Sequence, residues 1–273
     1  LTSAIANTHR FFVAPAVLEQ EPVVIDDAAL THQIGRVLRL HAGDRVLLLD
    51  GQGLAYEVCL TAITRQQVTG QIEQCVQASG EPTTHVVLYV PLIRAERFEW
   101  VLQKGTELGV QQFVPVAYER SLTSEQANER KLTRWRKIVR EAAEQSCRGR
   151  IPDIVEPMPF AVACQQTTSY SLTLLLWEGR NIPNREREAA EKNTTTQTPA
   201  LRQALRAWMA ATDTAARPDI ALAIYSGPEG GITSKELTTA TEHGIMPVSL
   251  GPRVLRAETA PIVAATAIFY ELE

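Results

Sequence analysis

The 273-residue sequence has only four cysteines, Cys59, Cys75, Cys147 and Cys164, far apart and with no C-x-x-C among them. That pattern argues against a zinc site and against a disulfide framework, and for a reducing cytosol. No apolar run approaches the roughly 20 residues of a membrane span. No N-terminal signal pattern is visible either, so the expectation is a cytoplasmic, metal-free protein without a membrane partner. A global excess of positive charge is also missing: 27 basic residues face 31 acidic ones, a net charge of −4. This counts mildly against nucleic acid, but distribution matters more than the sum. Between Arg94 and Arg150 there are 12 Lys/Arg and 8 Asp/Glu, a local positive excess. At 45% hydrophobic and 21% charged, the composition is that of a globular protein. A prior of roughly 150 residues per domain suggests two domains.

What is present concentrates in the C-terminal quarter. Two short apolar runs, Ile220 to Tyr225 and Met246 to Leu250, read as buried strands. The first leads into Ser226-Gly227-Pro228-Glu229-Gly230-Gly231, with three glycines in six residues. Glycine lets backbone N–H groups approach a ligand where a side chain would collide. Thr233 and Glu236 have capping-box spacing for a helix ending near Gly244. The second run leads into Gly251-Pro252-Arg253-Val254-Leu255-Arg256-Ala257-Glu258-Thr259 and then an apolar helix. Pro261 fits that helix only in its first turn. Two such loops at strand carboxyl ends form a ligand crevice in an open α/β sheet. The glycine spacing is not G-x-G-x-x-G, and no G-K-[ST] follows, so the residues alone leave the ligand type open.

G-P-E-G-G followed by L-G-P-R-V-L-R-A-E-T-A resembles the S-adenosylmethionine site of the SPOUT methyltransferases. More narrowly, it resembles the bacterial family that methylates N3 of a uridine in 16S ribosomal RNA of the small subunit. The similarity extends, in order, to His9-Arg10-Phe11-Phe12-Val13, His32 with Val37-Leu38-Arg39, Gly43-Asp44, Lys104 to Val110, Glu119-Arg120-Ser121 and Glu141 to Arg148. The resemblance implies an α/β fold whose C-terminal parallel sheet carries a trefoil knot, preceded by a small PUA-like β-barrel. It also implies S-adenosyl-L-methionine as cofactor, 16S ribosomal RNA or the small ribosomal subunit as partner, and a homodimer. Gly227, Glu229, Gly230, Gly231, Leu250, Gly251, Leu255 and Arg256 would surround the cofactor, largely through backbone groups.

The residues place the barrel at 1–78 and the methyltransferase domain at 79–273, with Ala78 to Thr84 as linker. Arg45 to Leu60 across Gly51-Gln52-Gly53 is a hairpin signal, and Val68 to Cys75 alternates like a third strand. His9, Arg10, Phe11 and Phe12 set cations beside aromatic rings, which suits single-stranded RNA. Phe11 and Phe12 would equally fill a barrel core. Arg36 and Arg39, three apart, would share one helical face toward phosphate. Beyond the linker, His85 to Val90, Arg94 to Leu108 and Gln112 to Val116 read as a βαβ unit and hence a parallel sheet. Gly105 inside that helix costs up to about 1 kcal/mol against alanine, so a close neighbour or a ligand is expected there. Glu129 to Cys147 reads as an amphipathic helix with a basic face. Lys104, Arg120, Gln145 and Arg148 complete the RNA candidates. A polar insertion at about 178–218 departs from the family pattern and shows no chemistry of its own.

Methylating uracil N3 requires loss of the N3 proton and in-line attack of the imide anion on the sulfonium methyl. The protein must position both partners, accept or relay a proton and stabilise negative charge. Arg256 and Arg253 are the candidates for stabilising the anion, and Glu258 for accepting the proton. Glu258 would equally stabilise the dipole of the helix that follows. Two other classes stay open: a catalytically silent RNA-binding assembly factor, and a nucleotide-binding protein using the glycine loop as a phosphate cradle.

Overall fold

The computed structural model describes residues 8–121, 128–178, 198–212 and 220–273. Most of the polar insertion, including Asn193 to Thr196, lies outside them. Two compact units emerge: residues 1–81 with 143–151, and residues 82–142 with 152–273.

The first unit is a five-stranded sheet in the order β1 (Arg10–Phe12), β3 (Arg45–Leu49), β4 (Leu54–Ile63), β5 (Val68–Gln77) and β2 (Val23–Ile25). β1 runs parallel to β3, and the other pairs are antiparallel. The β3–β4 turn uses Gly51 and Gly53 at φ +74° and +113°, and Asp50 Oδ1 accepts from the N–H groups of Gln52 and Leu54. Two register shifts in the β4–β5 ladder, at Glu57/Val58 and Leu60/Ala62, increase twist and curl the sheet into a half-barrel. Two short helices, α1 (Pro15–Leu18) and α2 (Ala28–His32), lie between the first strands, and α2 runs on into a π-turn, Gln33–Val37. Phe11 and Phe12 are 2% and 1% exposed and pack on opposite sides of the sheet, Phe11 with Val46, Leu48 and Val58, Phe12 with Leu47, Leu49 and Ala143.

The second unit is built on a parallel sheet. Its strands are β6 (His85–Pro91), β7 (Gln112–Ala117), β8 (Asp153–Ile154), β9 (Met158–Pro159), β10 (Leu172–Leu176), β11 (Ala221–Tyr225) and β12 (Met246–Val248). Their order is β12-β10-β11-β6-β7, with β8 and β9 both on β7, and every pair is parallel. β6, β10 and β11 are buried along almost their whole length. Burial on both faces is why they read as continuous apolar runs rather than alternating ones.

The helices are α3 (Ala95–Leu108), α4 (Glu129–Gln145), α5 (Phe160–Gln165), α6 (Leu201–Ala211), α7 (Ser234–Glu242) and α8 (Thr259–Leu272). None of the described helices is long and apolar enough to cross a membrane. A Cβ on Gly105 of α3 would lie 2.6 Å from Phe113 Cε1, so the glycine admits the β7 side chain. Pro261 is the third residue of α8, in the first turn, and Ile268 and Phe269 face the core.

Candidate functional site

The carboxyl ends of three strands, β10, β11 and β12, meet around one cleft of about 380 Å³. β11 ends in Tyr225, which stacks on Tyr89 of β6 with ring centroids 3.9 Å apart and donates to the Ala163 carbonyl at 2.8 Å. Burial pushes the Tyr225 phenol well above its ordinary range, so this strand end is neutral and fixed. Ser226, fully buried, donates from both N–H and Oγ to the Tyr89 carbonyl, which pins the start of the glycine loop. The loop turns tightly: the Gly231 N–H donates to the Pro228 carbonyl at 2.9 Å, with Gly231 at φ +76°. It then enters α7 through the expected capping box. Thr233 Oγ1 accepts from the Glu236 N–H, and Glu236 Oε2 accepts from the Thr233 N–H at 2.9 Å. Glu236 Oε1 also accepts from the Glu119 N–H at 2.8 Å, tying the loop after β7 to the glycine loop.

On the other side, β12 leads into Ser249 to Glu258. Ser249 Oγ accepts from the Gly251 N–H at 3.1 Å, and Gly251 sits at φ +109°. Glu178, two residues past β10, accepts from the Leu255 N–H at 3.1 Å and so holds the second loop from the strand between the two. The helix that follows β6 contributes Arg97, in the first turn of α3.

Of the residues expected around the cofactor, Gly227, Glu229, Gly231, Leu250, Leu255 and Arg256 line the cleft, and Gly230 and Gly251 do not. Gly230 instead makes room for Arg120: a Cβ there would lie 2.6 Å from the Arg120 carbonyl oxygen. Arg253 also lines the cleft, while Glu258 is 13% exposed beside it. Glu258 occupies the position before α8 with helical φ and ψ and no capping bond from its side chain. Its carboxylate turns to Arg97, 3.6 Å from Nε, while Arg97 Nη1 donates to Glu229 Oε1 at 3.2 Å. Arg256 Nη1 is 4.0 Å from Glu258 and its side chain is 79% exposed. Oε2 of Glu229 and Oε2 of Glu258 are enclosed and have no hydrogen-bond partner among the described residues.

Sequence reasoning missed Arg97, Trp177 and Glu178, all on the cleft. The available signal was position: Trp177 and Glu178 directly follow buried β10, and Arg97 stands in the first turn of the helix after β6.

The RNA candidates divide. In the first unit His9, Arg36, Arg39 and Gln145 are exposed, and Arg10 Nη1 donates to the Cys147 carbonyl at 3.1 Å. Three expectations there need correction. Phe11 and Phe12 are core residues, closed off from any base by the sheet's own packing. Arg36 and Arg39 do not share a helical face, because the π-turn ends at Val37 and Arg39 takes φ +54°. Arg148 is 2% exposed, with Nη2 2.8 Å from Glu81 Oε2 and Nε 3.3 Å from Oε1. The same carboxylate accepts from the N–H groups of Gly149 and Arg150, so Arg148 fastens 143–151 to the first unit instead of facing solvent. In the second unit Lys104 Nζ pairs with Glu107 at 2.7 Å, and Arg120 is half-buried against Gly230.

Residues 80–269 match the RNA methyltransferase domain family, and residues 25–73 match the RNA methyltransferase PUA domain. The chain belongs to the RNA methyltransferase family. Over all 273 residues it is 33% identical to the ribosomal RNA small subunit methyltransferase E of Synechocystis sp., covering 80% of that relative. It is 28% identical to the enzyme of the same name from Bacillus subtilis, across 97% of each chain. Among solved structures it is similar to ribosomal RNA small subunit methyltransferase E from Neisseria gonorrhoeae bound to S-adenosyl methionine. That likeness has a TM-score of 0.76 at 26% identity, over 97% of this chain and 98% of the other. The half-barrel therefore corresponds to the PUA-like expectation, and the parallel sheet to the methyltransferase fold.

Proposed function

We propose that the protein methylates N3 of a uridine in 16S ribosomal RNA, with S-adenosyl-L-methionine as donor. The observation that carries this reading is the cleft itself. In a chain of the RNA methyltransferase family, both glycine-containing loops open at strand carboxyl ends onto one space of about 380 Å³. The residues fit such a donor. Leu250 and Leu255 offer apolar cover for an adenine, and the enclosed Oε2 of Glu229, without a hydrogen-bond partner among the described residues, suits a donor from a cationic ligand.

When bound, S-adenosyl-L-methionine supplies an electrophilic methyl group on a sulfonium. Backbone groups of Gly227 and Gly231 and the side chains of Leu250 and Leu255 would hold the cofactor in the cleft. Arg256 and Arg253, exposed at the mouth, supply positive charge where the uracil imide becomes an anion. Glu258 stands beside Arg256 as the acidic member of this set. His9, Arg10, Arg36, Arg39 and Gln145 on the first unit, with Lys104 and Arg120 on the second, offer polar and cationic contacts for RNA. The same reading takes the C-terminal crossings as a trefoil knot and the protein as a cytoplasmic homodimer, the latter checked by sedimentation.

The test is calorimetry with S-adenosyl-L-methionine on the protein and on Leu255→Trp, which fills the cleft. Methyl transfer to undermethylated small subunits and to bare 16S RNA follows. N3-methyluridine has lost its Watson–Crick donor, so reverse transcription stops one nucleotide before it. Binding that Leu255→Trp abolishes, with one new stop at a uridine, supports the reading. A protein that binds RNA but neither the cofactor nor a methyl-transfer substrate is the silent assembly factor instead.

A further inference from the structure

Arg97, Arg256 and Glu258 converge at the cleft in an unequal way. Arg97 reaches Glu229 with Nη1 at 3.2 Å and Glu258 with Nε at 3.6 Å. Those carboxylates sit on different loops, one after β11 and one before α8. Glu258 has a second cation within reach, Arg256, but only at 4.0 Å. The three differ sharply in exposure: Glu258 13%, Arg97 37% and Arg256 79%. The carboxylate is thus enclosed, one cation is partly enclosed beside it, and the other extends into solvent at the cleft mouth.

A partly desolvated carboxylate takes the best-placed cation. Here that is Arg97, and its occupation of Glu258 leaves the Arg256 guanidinium free to swing over the cleft. We infer that Arg97 is a positioning residue for Arg256: by holding Glu258 it keeps that carboxylate from capturing the cation the reaction needs at the cleft mouth. On this inference Glu258 is the counter-ion of Arg97 rather than the acceptor of the substrate proton. The inference deepens the methyltransferase reading, and its first test does not depend on that reading.

Removing Arg97 while leaving Glu258 leaves the carboxylate one cation within 4.0 Å among the described residues, Arg256. In Arg97→Gln, Arg256 therefore moves onto Glu258, and its reaction with p-hydroxyphenylglyoxal, followed by peptide mass spectrometry, slows by roughly threefold or more, as a partly exposed ion pair allows. In Arg97→Gln/Glu258→Gln the reaction returns to the wild-type rate. Glu229 also loses a donor in Arg97→Gln, but it forms no ion pair with Arg256 among the described residues. Arg97→Gln/Glu229→Gln therefore shows no recovery. Circular dichroism confirms each fold, and Arg97→Lys, which keeps one charge, gives an intermediate rate.

In the methyl-transfer assay kcat falls about tenfold or more in Arg97→Gln, the scale of a lost electrostatic contact at a reacting centre. Adding Glu258→Gln restores most of it, with S-adenosyl-L-methionine affinity measured alongside. Unchanged Arg256 labelling in Arg97→Gln overturns the inference. So does a Glu258→Gln single variant that abolishes turnover, since that marks a proton acceptor. Labelling that behaves as described in a protein that transfers no methyl group keeps the charge arrangement and discards the methyltransferase reading.

Discussion

Arg148 looks like an RNA contact in sequence and is a buried clamp in the structure, and the two roles predict different losses. Glu81 accepts four hydrogen bonds, from Arg148 Nε and Nη2 and from the N–H groups of Gly149 and Arg150, at 2.8–3.3 Å. Glu81→Ala strips the carboxylate from a guanidinium that is 2% exposed, and breaking a buried pair from one side costs about 3–5 kcal/mol. Arg148→Met is milder. It fills similar space with an apolar chain, and Glu81 keeps two backbone donors and 15% exposure, so about 1–3 kcal/mol is expected. Urea unfolding followed by far-ultraviolet circular dichroism measures both. Amide exchange at β1 and β3 assigns the loss to the first unit, because Phe12 packs with Ala143 in the segment the clamp retains. RNA binding by folded Arg148→Met, titrated against salt, should keep the wild-type slope. A slope lower by about one with stability unchanged would mean Arg148 touches a phosphate, and the clamp reasoning would fail.

Two further outcomes follow from packing and burial in the second unit. Gly105→Ala puts a Cβ 2.6 Å from Phe113 Cε1, and the strain of about 1–3 kcal/mol exceeds the helix-propensity gain of up to about 1. The variant should lower the urea midpoint and Phe113→Leu should restore it, whereas a more stable Gly105→Ala refutes the contact. Burial raises the Cys164 thiol to about 12 and the phenols of Tyr118, Tyr170 and Tyr225 above their ordinary value. The folded state therefore keeps protons that the unfolded chain releases above about pH 9–10. Stability is full below that range and declines as pH rises toward the folded values. Urea midpoints at about pH 7.5 and pH 10.5, with phenolate absorbance, check this; an unchanged midpoint contradicts it.

The parallel sheet was legible because its physics is local to each strand. β6, β10 and β11 are buried on both faces, so each appears as an unbroken apolar run, and Thr233 with Glu236 announces α7 by spacing alone. The return of 143–151 to the first unit was not legible. It depends on Glu81, an acidic residue in a linker-like stretch, 67 positions from Arg148. An arginine following Gln145 and Ser146 carries no mark of burial; only its distant partner makes burial tolerable. Phe11 and Phe12 were ambiguous for the opposite reason, since an aromatic pair suits a core and a stacked base equally well.

The glycine loop shows most clearly where pattern reading stops. A missing side chain says only that something else fills the space, and in G-P-E-G-G the fillers differ from one glycine to the next. Gly231 closes a turn at φ +76°, Gly227 borders the cleft beside Ile232, and Gly230 is filled by the Arg120 backbone. Gly230→Trp would therefore lose cofactor binding by dislodging the loop after β7, whether or not a ligand touches that position. Leu255→Trp carries the sharper test, because Leu255 faces the cleft from a loop already held by Glu178. Arg97 follows the same logic from the other direction. Its importance lies in two carboxylates from loops at positions 229 and 258, which only the sheet order brings to one guanidinium.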